Sequence, residues 1–204
     1  MSALPPRFAF APEAVERAEG HLLVLRASGA GALDLAVAAT RIEAPRARVW
    51  EMIRDVSHFP SRLPMVHKVD VDGDRVAMKL RFKIAFFSTT FGFELRHRDE
   101  DREWVELSYL SGEPRDIHFR FDLADGSAPD TTLLQVTIGF DARSLGWLVT
   151  VFLRNHPEIQ LGVYPRAAFA VLDAVKAGLR GLTLPGDPSA ASPLSEASAR
   201  PCAC

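Results

Sequence analysis

Side chains able to move protons or polarise a bound molecule are sparse in this sequence. Six histidines, His21, His58, His67, His97, His118 and His156, are scattered along the 204 residues without the spacing that metal ligation requires. Both cysteines, Cys202 and Cys204, sit at the end of the chain one residue apart, where they cannot staple a fold. No Gly-x-Ser-x-Gly elbow, glycine-rich phosphate loop or His-Glu-x-x-His pair occurs. The pattern calls for no metal and no cofactor, and it contains no nucleophile constellation.

What remains are single polar groups on apolar faces. Period-two alternation puts His67 with Met65, Val69 and Val71, where it could orient a ligand hydroxyl or carbonyl; the competing placement is the open end of the strand, bonded to backbone or water. Tyr109 could reach a polar ligand head or simply expose its tip. Arg41 could anchor a carboxylate or lie on the surface, and Lys79, Arg81 and Lys83 are either a solvated strand face or a contact for anionic headgroups. The stretch from Leu145 to Leu153 is apolar almost all the way round. With Trp147, Leu148, Val151 and Phe152 it would either touch a membrane transiently, as a lid, or pack over its own domain.

The totals narrow the class. With 48% hydrophobic and 25% charged residues, 204 positions suit one domain with a substantial core. A formal net charge of −2, from 24 basic and 26 acidic residues, leaves no electrostatic footprint for nucleic acid. The first twenty residues lack the basic start and continuous apolar run of a secretory signal, so a cytoplasmic protein is expected. Residues 183–204 are small, polar and proline-rich and are expected to form a disordered tail. The oligomeric state is left open.

Positioning these groups falls to a mostly alternating chain. PEAVERAE (12–19) suits a short helix with Pro12 in its first turn, and HLLVLRAS and ALDLAVAATRIEA read as strands around a glycine turn. Then Pro45 opens a break in which Val49, Trp50, Ile53 and Val56 fall at helical spacing, closed by Pro60 and Pro64. After it the period returns to two through successive strands with short turns, an antiparallel meander with one apolar and one solvated face. From Pro157 to Leu182 the pattern is helical again, with Pro165 either kinking the helix or marking its start.

The constellation Ala44-Pro45, Val49-Trp50, Asp55, Phe59-Pro60 and Leu63-Pro64 resembles the START and polyketide-cyclase (SRPBCC) superfamily, most closely its bacterial START-like and coenzyme Q-binding branches, over roughly residues 33–182. The resemblance implies an α+β helix-grip fold: a curved antiparallel sheet wrapped around a long C-terminal helix, two short helices after the first core strand, and a hydrophobic cavity between. On this basis residues 1–20 are an extension, 21–182 one helix-grip domain and 183–204 the tail. The small side chains of Ala36, Ala38 and Ala39 opposite a phenylalanine-rich wall are expected to leave part of the interior unfilled.

Alternation then assigns the ligand wall. It takes His67 and Val69 from one strand, Met78, Leu80 and Phe82 from the next, then Phe91 and Phe93, and Leu107 and Tyr109. Phe119 and Phe121 follow, then Val136, Ile138 and Phe140, with Tyr164, Ala168 and Leu172 from the closing helix. The expected partner is one hydrophobic small molecule, a sterol, quinone, fatty acyl chain or other lipid, carried or presented without catalysis. The alternative is an aromatase or cyclase folding a polyketide in the same cavity, with His67, Tyr109 or Tyr164 moving protons. A third possibility uses the groove to hold a partner helix.

Overall fold

The computed structural model describes residues 8–28, 33–63, 65–84, 87–141, 144, 150–151, 155–156, 158 and 160–181, with the backbone alone at 82–84 and 87–89. In chain order the elements are α1 (Pro12–Arg17), β1 (Leu22–Ala27), β2 (Leu33–Ile42), α2 (Arg46–Arg54), a single 3-10 turn (Val56–His58), α3 (Phe59–Arg62), β3 (Val66–Asp72), β4 (Arg75–Ile84), β5 (Phe87–Glu100), β6 (Trp104–Gly112), β7 (His118–Asp125), β8 (Thr132–Gly139) and α4 (Gln160–Leu179).

One antiparallel sheet holds all eight strands in the order β1-β2-β8-β7-β6-β5-β4-β3. The meander from β3 to β8 is local, but β2 pairs with β8, Ala36 opposite Ile138 and Ala38 opposite Val136. Between β2 and β3 the chain must therefore leave one side of the sheet, next to β1, and restart at the opposite edge. The break that opens at Pro45 makes that journey. Pro45, with φ held at −60° in extended geometry, precedes the first helical residue, and Val49, Trp50 and Ile53 are buried along one side of α2. Asp55 ends α2 and accepts a hydrogen bond from Ser57 N at 3.1 Å, which starts the 3-10 turn.

α4 lies across β2 and β8 and also meets β1, α2 and α3. Tyr164, Ala168, Val171, Leu172, Val175 and Leu179 form its buried stripe. Ala36 and Ala38 are fully buried beneath it, and their small side chains let helix and strand approach closely. Lys176 Nζ reaches Thr40 Oγ1 at 2.6 Å and fixes the helix on the strand.

The outer face departs from the expected solvated side. β8 is buried on both faces along its whole length. Phe8, Phe10 and Val15 of the N-terminal segment pack on Ala39 and Leu133 as a second core, and Ala9 N donates to Gln135 Oε1 at 2.7 Å. β8 carries no charged residue, and β2 has its charges, Asp34 and Arg41, only near its two ends, which suits cover on both sides of the middle.

Candidate functional site

The inner positions of β4 to β8 build a continuous apolar wall. Val76, Met78 and Leu80 face in from β4, Phe91, Phe93 and Leu95 from β5, Val105 and Leu107 from β6, Phe121 and Leu123 from β7, and Leu134, Val136 and Ile138 from β8. Tyr109, Phe119 and Phe140 continue it and are only half-buried. All three stand at the end of the sheet where β6 and β8 finish and β7 begins. The opposite end is closed by α2, which packs on β6 and β7.

Three arginines of α2 hold that closure. Arg54 Nε lies 3.2 Å from Asp99 on β5, and Arg46 reaches Asp125 on β7 at 3.2 Å. Arg48 donates to the carbonyl of Leu179 at the end of α4, 3.1 Å away. Burial lowers the pKa of His97, which stands at an inner position near this closed end; Asp99 opposes the shift and Arg54 adds to it.

Both tyrosines are committed to backbone. Tyr164 O–H donates to the carbonyl of Phe140 at 2.9 Å while its ring stacks on Phe140 at 4.6 Å, fastening α4 to the end of β8. Tyr109 O–H donates to the carbonyl of Gly112 at 3.0 Å. Gly112 has a φ of +100°, and a Cβ there would lie 2.3 Å from the Gly92 carbonyl oxygen, so only glycine fits the crossing of β5 and β6.

His67 is the clear correction. A bulge between Val66 and Lys68 breaks the alternation, so Val66 is buried while His67 turns outward and accepts a hydrogen bond from Arg81 at 3.0 Å. Extrapolating the period of two from Val69 and Val71 back across the bulge put it on the wrong face. Arg41 is on the surface, 2.7 Å from Glu43. Lys79 and Arg81 are exposed on the outer face.

Of the other residues expected at the wall, Val69, Met78, Leu80, Phe91, Phe93, Leu107, Phe121, Val136, Ile138, Ala168 and Leu172 are buried or packed against the main core. The Phe82 side chain, together with Trp147, Leu148 and Phe152 of the expected lid, lies outside the described residues, and Val151 is exposed. Trp50 and His97 did not emerge from the sequence as site residues. The run HRDEDRE reads as a hairpin tip, yet β5 continues through it to Glu100, and the alternation Phe91, Phe93, Leu95 carried two residues further would have found His97.

A helix-grip architecture with an apolar inner wall defines the class. The model of the polyketide cyclase / dehydrase and lipid transport family matches residues 42–158, and the chain belongs to that family. A START superfamily protein from Mycobacterium smegmatis is similar in structure at 13% identity and TM-score 0.57, covering 74% of this chain and 99% of that one. The Zhui aromatase/cyclase from a Streptomyces species, R1128, is similar at 17% identity and TM-score 0.54, over 72% of this chain and 93% of its own. A protein from Thermus thermophilus, TTHA0849, follows at 14% and 0.51, over 72% and 97%. At these identities the likeness is one of fold. No curated protein matches the sequence. Among the described residues no helix is long and apolar enough to cross a membrane.

Proposed function

We propose that this protein binds one apolar small molecule, such as a sterol, quinone or fatty acyl chain, against the inner wall of the sheet and carries or presents it. The observation that carries this reading is the commitment of both tyrosine hydroxyls to backbone carbonyls on a wall built mainly of aliphatic and aromatic side chains. Such a wall attracts a guest by apolar burial and leaves orientation to a few groups. Burying roughly 400 Å² of ligand surface contributes about 10 kcal/mol before ordering costs. The half-buried Tyr109, Phe119 and Phe140 mark the end through which the guest enters.

Native mass spectrometry of the purified protein tests the reading. A carrier retains an apolar molecule of discrete mass that organic extraction removes and re-addition restores. Protein that stays empty when offered sterols, quinones and acyl chains, yet converts a poly-β-ketone mimic, supports cyclisation instead. The cyclase alternative needs a proton-moving group, and of its three candidates His67 faces outward while the hydroxyl protons of Tyr109 and Tyr164 are spoken for.

A further inference from the structure

Two buried nitrogens near the closed end have no hydrogen-bond partner among the described residues: Trp50 Nε1 on α2 and His97 Nε2 on β5. Trp50 is only 9% exposed and belongs to the main core. His97 stands at an inner position, opposite the fully buried Leu107 and two residues beyond the fully buried Leu95. Arg54 links the two elements. Arg54, one turn on from Trp50, stacks over the indole at 4.8 Å and pairs with Asp99, which follows His97 by two residues on the same face of β5.

An indole N–H can only donate, whereas a neutral imidazole nitrogen donates or accepts according to tautomer. Buried polar groups that the protein leaves unpaired cost stability, so a partner that arrives with a ligand gains what the folded chain forgoes. The partner that suits both nitrogens is an oxygen. It accepts from Trp50 and either donates to His97, as a hydroxyl does, or accepts from it, as a carbonyl does. A carboxylate suits less well, because burying a full charge costs far more than burying a hydroxyl or carbonyl.

We propose that Trp50 and His97 hold the neutral oxygen-bearing end of the ligand, a hydroxyl or carbonyl, at the closed end of the interior, with its apolar body along the wall toward Phe119 and Phe140. The proposal rests on the carrier reading and names its ligand class: long apolar molecules ending in an alcohol or ketone.

Displacement of a bound environment-sensitive fluorophore by dodecan-1-ol, n-dodecane and dodecanoate tests it. The wild-type protein should prefer the alcohol over both the alkane and the carboxylate by about tenfold, the equivalent of one hydrogen bond. Trp50→Phe and His97→Leu should each remove most of that preference. His97→Leu serves as the second variant if near-ultraviolet circular dichroism shows Trp50→Phe to be misfolded. Equal affinity for alcohol and alkane in the wild type, or a preference that survives both substitutions, overturns the proposal. If none of the three displaces the fluorophore, the carrier reading falls and takes this inference with it.

Discussion

At the scale of single residues, the outer face of the sheet holds a cluster of charged groups paired with one another. On the outer face Arg120 lies over the Trp104 ring at 5.0 Å and bonds Glu106 at 3.1 Å and Asp122 at 3.0 Å, with the Asp122 side chain only 4% exposed. Replacing one partner of such a cluster strands the others. Arg120→Ala is expected to lower stability by about 3 kcal/mol, read as a drop in the urea midpoint without loss of slope. Histidines give a pH dependence of known sign. Burial is the largest influence on both His97 and His118, and it holds the folded pKa of each below the ordinary 6.5. As pH falls through 6.5 the unfolded chain binds protons that the folded chain resists, so stability is complete above that pH and declines below it. The urea midpoint should fall between pH 7 and pH 5.5, above the carboxylate range, and the double variant His97→Gln, His118→Gln should flatten that slope.

Among the elements, the two covers of the sheet divide the work. α4 seals the inner side of β2 and β8, and close approach depends on alanines at the contact. Ala38→Leu would force a large side chain between strand and helix and should destabilise by about 2 kcal/mol, measured by thermal or chemical unfolding. The N-terminal segment seals the outer side of the same strands. Val15 is fully buried in the second core, so Val15→Ala should cost about 2 kcal/mol, whereas Val24→Ala, on the exposed side of β1, should change stability little. Equal effects of the two substitutions would show that α1 does not stay docked in solution. Arginines of α2 tie β5, β7 and α4 at one end, while Tyr109, Phe119 and Phe140 stand half-buried at the other.

For the molecule as a whole, the fold and the binding proposal are linked through stability. A guest that binds only the folded chain raises its stability by about 2.7 kcal/mol at a hundred times its dissociation constant. Re-adding the molecule extracted from the purified protein should therefore raise the melting temperature in proportion to the logarithm of its concentration. A melting temperature indifferent to it would place that molecule outside the folded interior. The family match ends before α4 begins, so the helix that grips the sheet is recognised by its own pattern and by the likeness of the whole architecture to solved structures.

The amino-acid pattern alone determined the run of strands, the helical interruption after Pro45, the closing helix and most of the inward-facing residues, because strand and helix periodicity report which side of an element is shielded from water. Val76, Met78 and Leu80 or Phe119 and Phe121 could hardly face otherwise. Three things waited for the tertiary structure. The pairing of β2 with β8 joins residues about a hundred positions apart, and no local signal encodes a partner that distant. The outward turn of His67 comes from one extra residue in a strand, which reverses the parity of everything before it. And the link from Trp50 to the neighbourhood of His97 exists only once α2 has packed on β6 and β7 and Arg54, stacked on Trp50, pairs with Asp99 of β5, since no local signal in either segment encodes the other.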